Sequence, residues 1–251
     1  MQIHGLNKTT LLDYPGHVAC TVFTGGCNFR CPFCHNADLV LAAHTQPTIS
    51  EETFFTFMKK RAGILEGVCI TGGEPLLQAD LTDFIRRIRS FGLKVKLDTN
   101  GYLPDKLNEL LKEGLLDYVA MDIKNCKNKY GLTVGIENFD ITPIEKSVEF
   151  LKEGHVDYEF RTTVVKELHN VDDIQDIGVW LKGATRCFVQ NFVDSGELIQ
   201  NGLNPVDSAV LEEMKSKLNQ NLINIKNFFE LIYFEESASK EEIYNFIKEC
   251  I

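Results

Sequence analysis

The sequence predicts an α/β fold, a curved and partly open (βα)6 barrel around a parallel sheet. Short apolar runs alternate with longer amphipathic stretches along the chain, which is typical of right-handed βαβ units. These runs number six, too few for a closed eight-stranded barrel. The predicted strands cover residues 17–24, 67–71, 94–99, 116–123, 157–165 and 186–192.

The stretches between these strands predict helices. Ser50 is a suitable cap for the first of them. Gly92, Gly114 and Gly154 each follow a helical run, where a residue with positive φ is wanted. The predicted helices cover residues 50–62, 79–91, 104–113, 143–153 and 171–181.

The whole chain, residues 1–251, is predicted to be one domain. It contains no linker, low-complexity segment or internal repeat. The barrel core runs from about residue 12 to 193, and a less regular C-terminal extension follows over about 203–251. We expect this extension to pack over the open edge of the barrel. It is predicted to contain helices over 207–219 and 240–251, with an apolar run over 228–234 between them.

The composition is that of an ordinary globular protein, with 44% apolar and 25% charged residues. A formal net charge of -10 argues against a nucleic-acid partner, whose phosphates attract basic surfaces. Neither an apolar core of signal-peptide length near the first residues nor a membrane span is visible, so we expect a cytoplasmic protein. Five of the eight cysteines are scattered singly and are interpreted as structural thiols: Cys20, Cys69, Cys126, Cys187 and Cys250.

The other three cysteines form a compact group directly after the first predicted strand. Cys27, Cys31 and Cys34 have C-x3-C-x2-C spacing, and a loop this tight turns three thiolates toward one point, as a metal cluster requires. No fourth cysteine or histidine follows at zinc-ribbon spacing, and His35 is too close to Cys34 to complete the set. Three ligands leave one iron of a four-iron cluster open, which is the mark of a catalytic site. A structural zinc site and a dithiol redox pair are the alternatives.

Further polar motifs lie where the predicted strands end. Because the carboxyl ends of parallel strands meet at one edge, these motifs are expected to converge with the cysteines. The glycines of Gly72–Pro75 allow backbone to approach a ligand closely, although Gly-Gly after a strand is usually just a turn. Asp98, Thr99 and Asn100 suit an ammonium group or a hard cation, unless they form only an Asx-turn.

Charged residues end the two following strands. Asp122 and Lys124 share one face of an apolar strand, and a buried pair there is costly unless it binds a ligand or forms a salt bridge. Arg161 interrupts the next apolar run; a snorkelling surface arginine is the alternative.

These motifs together carry a family resemblance. The cysteine spacing followed by Gly72-Gly73-Glu74-Pro75 resembles the radical S-adenosylmethionine (SAM) enzymes. The string Asp13-Tyr14-Pro15-Gly16, the cysteine loop and Cys34-His35-Asn36 resemble the activating enzymes of glycyl radical proteins, most closely the activators of anaerobic ribonucleoside-triphosphate reductase. The resemblance is strong over about 12–161 and thin after about 192.

The resemblance implies a 4Fe–4S cluster held by Cys27, Cys31 and Cys34, with SAM bound at its open iron. It further allows a monovalent cation near Asp98, Thr99 and Asp122. The related pyruvate formate-lyase activators place a histidine after the sixth strand to contact the ribose; here Gln190 and Asn191 stand in that place. The residues expected to bind the cofactor are Phe33, Cys34, His35, Gly72, Gly73, Glu74, Asp98, Thr99, Asn100, Asp122, Lys124 and Arg161.

The implied activity is reductive cleavage of SAM to a 5′-deoxyadenosyl radical, which takes a hydrogen atom from a glycine of a partner enzyme. No side-chain acid or base is needed for this chemistry, so no catalytic residue is expected beyond the cofactor ligands. The implied partners are a glycyl radical enzyme and an electron donor such as flavodoxin or ferredoxin. The alternatives are a pyruvate formate-lyase activator, a radical SAM enzyme with a small-molecule substrate, and a non-enzymatic iron–sulfur or zinc module.

Overall fold

A seven-stranded sheet organises the computed structural model, which describes residues 1–222. The strands follow one another in chain order, and β2 to β7 are all parallel, as the predicted (βα)6 barrel requires. The first and last strands do not pair, so the barrel is open. The strands are β1 Ile3–Thr10, β2 Ala19–Thr24, β3 Gly67–Gly72, β4 Lys94–Thr99, β5 Tyr118–Asp122, β6 Asp157–Val164 and β7 Cys187–Asn191.

The antiparallel strand β1 was not predicted. It pairs with β2 along one edge, with two irregularities in its register. Few of its residues are apolar, and its middle is exposed to solvent, so it shows neither a continuous apolar run nor a clear alternation. Pairing with β2 rather than local sequence determines this strand.

The helices cover the outside of the sheet. In α3, the buried residues Leu81, Phe84, Ile85 and Ile88 form the apolar stripe of an amphipathic helix. The short helices α1 and α5 were not predicted because five residues are too few to show a helical period. The helices are α1 Ala37–Leu41, α2 Glu51–Lys60, α3 Leu81–Arg89, α4 Pro104–Lys112, α5 Tyr130–Val134, α6 Thr142–Lys152, α7 Val171–Trp180 and α8 Ser208–Leu222.

Local signals at the helix ends are confirmed. The Ser50 side chain accepts a hydrogen bond from the Thr53 backbone, as an N-cap does. Gly92, Gly114 and Gly154 have φ of 76°, 63° and 77°, the left-handed conformation that ends a helix.

The described part of the C-terminal extension contains the predicted helix 207–219, observed as α8. This helix packs against α7 and the edge strand β7, burying Met214 and Leu218. Helix α8 comes close to Gly178 of α7, where an added Cβ would lie 2.9 Å from the Cβ of Asn221. The predicted apolar run 228–234 and helix 240–251 lie outside the described residues. In residues 1–222 no helix is both long and apolar enough to cross a membrane.

Candidate active site

All the residues predicted to bind the cluster or SAM line one cavity at the carboxyl end of the parallel strands. The elements that follow β2, β3, β4, β5 and β6 each contribute to it, which is the arrangement expected of an α/β barrel. Within residues 1–222, the lining residues are Cys27, Phe29, Cys31, Phe33, Cys34, His35, Asn36, Val40, Thr71, Gly72, Gly73, Glu74, Asp98, Thr99, Asn100, Asp122, Lys124, Arg161, Thr163 and Gln190.

The motif Asp13–Gly16, by contrast, lies away from this cavity. Its tyrosine, Tyr14, is buried and lines a cleft with Lys94, Tyr118 and Asp157, the first residues of β4, β5 and β6. The motif therefore closes the amino-terminal end of the barrel and does not contact the candidate site.

The cysteine loop connects β2 to α1 and presents three free thiols to the cavity. Backbone bonds from Arg30 to Val134 (2.8 Å) and from Gly26 to Leu39 (2.7 Å) fix the loop. Burial raises the pKa of Cys31 to about 12, so a thiolate there needs a positively charged ligand.

The donor set suits an iron–sulfur cluster. Within residues 1–222, no three His, Cys, Asp or Glu side chains stand close enough together to hold a single metal ion, whereas a cluster binds each cysteine at a different iron atom. Beside Cys27, the buried amide nitrogen of Asn28 has no hydrogen-bond partner in the described part of the chain. A cluster sulfide is an acceptor that suits such a donor. Asn28 was not among the predicted residues, because a single asparagine between cysteines carries no distinctive pattern.

The Gly-Gly turn after β3 lies directly on the cysteine loop. The Gly73 backbone donates to Thr24 (2.8 Å) and the Glu74 backbone donates to Gly26 (2.8 Å). A Cβ on Gly73 would overlap the carbonyl group of Gly26, and Gly72 has φ of 117°. The two glycines are therefore needed for the contact between the loops after β2 and β3. This requirement is separate from the close approach of a ligand that the sequence suggested.

Glu74 connects the loop after β3 to the loop after β4. Its side chain is only 1% exposed, and its carboxylate accepts from Thr99 Oγ1 (2.8 Å) and from the backbone of Leu76 (3.0 Å) and Asn100 (2.7 Å). Burial raises the pKa of Glu74 to about 7, against the effect of these bonds. The Glu74 carboxylate is thus engaged by donors of the protein itself. The backbone of the Gly72–Pro75 motif, and not this side chain, is what can face a ligand.

Replacing Glu74 by glutamine is expected to lower the free energy of unfolding by about 2 kcal/mol, because one backbone N–H would then face the amide NH2 group. In the wild-type protein, the Glu74 carboxyl binds its proton more tightly in the folded than in the unfolded state. The stability that this proton binding adds is complete below pH 4.5 and is lost as the pH rises through about 7. Glu74→Gln removes this dependence.

Urea unfolding of the cluster-free protein at several pH values between 4.5 and 7 measures the free energy of unfolding and its dependence on pH. Glu137→Gln is the control, since Glu137 is exposed. A Glu74→Gln variant that keeps the wild-type pH dependence would contradict the prediction.

Asn100 forms the expected Asx-turn and also reaches the cysteine loop. Its Oδ1 accepts from the Tyr102 backbone (3.0 Å), while its Nδ2 donates to Asn28 Oδ1 (2.8 Å) and lies 3.8 Å from Cys27 Sγ. The Asx-turn was considered as an alternative to a functional role. Here it does not exclude such a role, because the turn directs the Asn100 amide toward the cysteine loop.

Charged side chains form a continuous ion-pair network on the cavity wall. Arg161 pairs with Asp98 (3.4 Å) and Asp122 (3.3 Å), and Lys124 pairs with Asp122 (3.0 Å). The Arg161 side chain is 24% exposed and lines the cavity, so the surface alternative is wrong. Burial opposes ionisation of Asp122, but Lys124 and Arg161 lower its pKa below the ordinary value.

The aromatic members of the site are held by further contacts. The Phe33 ring is buried and lies 6.0 Å from Lys124 Nζ and 6.4 Å from the His169 ring. His35 lies 5.8 Å from the Phe192 ring. Phe33 therefore packs the loop onto the barrel and also lines the cavity.

The last two residues of β7 show which side chain stands at the position expected to contact the ribose. Gln190 lines the cavity and donates to Thr163 (2.7 Å), whereas the Asn191 side chain exchanges two hydrogen bonds with the Val206 backbone. Asn191 thus holds the following segment, and Gln190 is the one of the pair that faces the site.

The buried His169, which was not predicted, joins the loops after β5 and β6 through Lys124 O (2.8 Å) and Val165 N (3.1 Å).

Comparison with known proteins identifies the family. The profile of the radical SAM superfamily matches residues 21–178. A Methanocaldococcus jannaschii protein, provisionally named a glycyl-radical enzyme activating enzyme, is 34% identical over 76% of this chain and 79% of its own length. The pyruvate formate-lyase-activating enzyme of Clostridium pasteurianum is 34% identical over 49% of this chain and 52% of that enzyme.

A structural comparison agrees with the fold. Streptococcus suis SuiB bound to S-adenosylmethionine superposes with a TM-score of 0.60 at 14% identity, over 80% of this chain and 48% of SuiB. With more than half of its residues matched by the family profile, this chain belongs to the radical SAM superfamily and is an enzyme that uses a 4Fe–4S cluster and SAM.

Proposed function

We propose that this enzyme is an activase that generates a glycyl radical on a partner protein, and that the partner is anaerobic ribonucleoside-triphosphate reductase. The observation that carries the proposal is the cysteine loop in its full motif, from Asp13-Tyr14-Pro15-Gly16 to Cys34-His35-Asn36. The names of the Methanocaldococcus jannaschii and Clostridium pasteurianum relatives support the activase class.

The residues of the cavity suit this chemistry by position and charge. In the proposal, Cys27, Cys31 and Cys34 hold the cluster, and Lys124 and Arg161 offer cationic groups to the SAM carboxylate. When bound, the cluster and SAM supply one electron and a carbon radical that removes a hydrogen atom from glycine Cα. The chain binds and orients these groups and excludes water.

A proton-transfer residue has no place in this proposal. Glu74 is the carboxyl with a pKa near 7, in the range where acid–base catalysts operate. All of its described hydrogen bonds run to groups of the protein. Its role in the proposal is to hold two loops of the site together.

The position of Gln190 favours the ribonucleotide reductase activators over the pyruvate formate-lyase activators. The latter place a histidine at this point of the barrel, according to the resemblance, whereas Gln190 supplies an amide there. An amide can form the hydrogen bond to the ribose hydroxyls without titrating.

The test is to reconstitute the enzyme anaerobically, reduce it with SAM, and add the partner reductase. We expect 5′-deoxyadenosine and a glycyl radical signal in the electron paramagnetic resonance (EPR) spectrum of the reductase. The signal should be absent from a reductase whose radical glycine is replaced by alanine. A reaction in which pre-reduced flavodoxin or ferredoxin replaces the chemical reductant as the source of electrons tests the proposed electron donors.

The same experiment separates the alternatives. A radical that forms on pyruvate formate-lyase and not on the reductase would replace the proposed partner. Cleavage of SAM with no radical on either protein would contradict the activase function and favour a small-molecule substrate.

A further inference from the structure

Lys96 is a lysine buried inside the barrel, at 1% exposure. It lies on β4 two residues before Asp98, so both side chains are on the same face of the strand. Its ammonium group bonds to Asp98 Oδ1 and lies 3.8 Å from Cys69 Sγ. Lysines are almost never fully buried unless they are paired with a carboxylate, so the Asp98 contact is the reason that this one is tolerated.

The carboxylates near which a monovalent cation was expected are already paired with cations of the chain. Asp98 bonds to Lys96 through Oδ1 and to Arg161 through Oδ2 at 3.4 Å. The two oxygens of Asp122 pair with Arg161 and Lys124. All four carboxylate oxygens therefore have a cationic partner.

The expected hydroxyl ligand is engaged as well. Thr99 Oγ1 donates its proton to Glu74 and accepts from the Gly101 backbone at 3.1 Å. The oxygen ligands that a hard cation prefers are thus turned to other partners, and the residues do not fit a resident ion.

The charges of this network also balance without an added ion. Lys96, Lys124 and Arg161 supply three positive charges. Asp98, Asp122 and Glu159 supply three negative ones, with Glu159 4.0 Å from Arg161. A further cation beside this network would find no unpaired anionic partner in it, so its charge would be left uncompensated.

We propose that Lys96 takes the place of the monovalent cation and positions Asp98, so that this enzyme binds SAM without potassium or sodium. The inference rests on the proposed function together with the expectation, from the family resemblance, that Asp98 binds SAM. Lys96 reaches Asp98 from the barrel interior and does not line the cavity, so it is a positioning residue that acts through Asp98.

The test compares wild type and Lys96→Met in potassium chloride and in tetramethylammonium chloride at equal ionic strength. Two quantities are measured on the reconstituted, unreduced protein: the dissociation constant for SAM and the midpoint of thermal unfolding. Wild type should give the same values in both salts. In tetramethylammonium, Lys96→Met should bind SAM about tenfold more weakly, and potassium should restore the affinity, because a small cation can enter the vacated position and tetramethylammonium cannot.

Lys94→Met is the matched control, since Lys94 lies on the same strand but is exposed. It should behave as wild type in both salts. A potassium-specific gain in SAM affinity or stability of wild type would overturn the proposal. So would a folded Lys96→Met variant whose affinity does not recover in potassium.

If Lys96→Met does not fold, Lys96→Gln takes its place, and the wild-type comparison still decides the outcome. Neither measurement requires SAM cleavage or a partner enzyme. A failure of the activase proposal is therefore distinguishable from a failure of this one.

Discussion

Replacing Cys31 by alanine is expected to remove the cluster iron and to abolish SAM cleavage. Cys31 is the buried member of the cysteine group, at 7% exposure, between the half-buried Cys27 and Cys34. Losing an outer-shell partner of a metal ligand typically costs about 10- to 100-fold in affinity or activity, and losing the ligand itself costs more. Cleavage should thus fall below about one hundredth of wild type.

The measurement is iron content per chain after anaerobic reconstitution, followed by assay of 5′-deoxyadenosine with reductant and SAM. Cys187→Ala is the matched control, because it removes a half-buried free thiol that does not line the cavity. It should retain iron and activity. If Cys31→Ala keeps both at the wild-type level, the cluster is not bound by this loop.

The sequence was sufficient to predict the location of the site because of one geometric rule. In a parallel sheet, every strand delivers its carboxyl end to the same edge, so motifs such as Gly72–Pro75 and Asp98–Gly101 converge once the strands are recognised. The strong apolar runs of β3 to β6 made that recognition simple, and the convergence is confirmed. Spacing alone left zinc and dithiol alternatives for the cysteines, and the family match removes them.

The partners of individual side chains were not predictable in this way. Glu74 belongs to a motif that suggests a ligand contact, yet its carboxylate is engaged by the backbone of Asn100 and Leu76. In the sequence Lys96 looks like an ordinary polar residue of a strand, and its burial depends on Asp98 and on the packing of the neighbouring strands around it. Such pairings arise from three-dimensional packing, which no local pattern records.

The edge strand β1 shows the same limit for secondary structure. A central strand is buried on both faces and is therefore apolar throughout, whereas an edge strand keeps solvent on one side. Ile3 and Thr10 are buried at its ends, but the intervening residues are not. Its sequence is consequently that of a surface segment, although its backbone completes the sheet.

A second large effect is expected from Gly73→Ala. The new Cβ would overlap the Gly26 carbonyl group, whose carbon would lie 2.7 Å away, and backbone atoms cannot give way as a flexible side chain does. The loops after β2 and β3 must separate, which strains or breaks the bonds from Gly73 to Thr24 and from Glu74 to Gly26. Overpacking together with the lost bonds should lower the free energy of unfolding by about 3 kcal/mol.

The same displacement should impair the site more than it impairs the fold, because a shift of about 1 Å in a positioned group can cost on the order of a hundredfold in rate. We therefore expect Gly73→Ala to lose SAM affinity and cleavage while it still incorporates some iron. Urea unfolding, iron content, SAM binding and assay of 5′-deoxyadenosine measure stability, iron incorporation, SAM affinity and cleavage in turn. Gly114→Ala is the control: it has positive φ but open space around the added Cβ, so it should cost only about 1–2 kcal/mol of stability and leave SAM binding unchanged. A Gly73→Ala variant with wild-type stability and SAM affinity would show that the two loops are not held in the contact described.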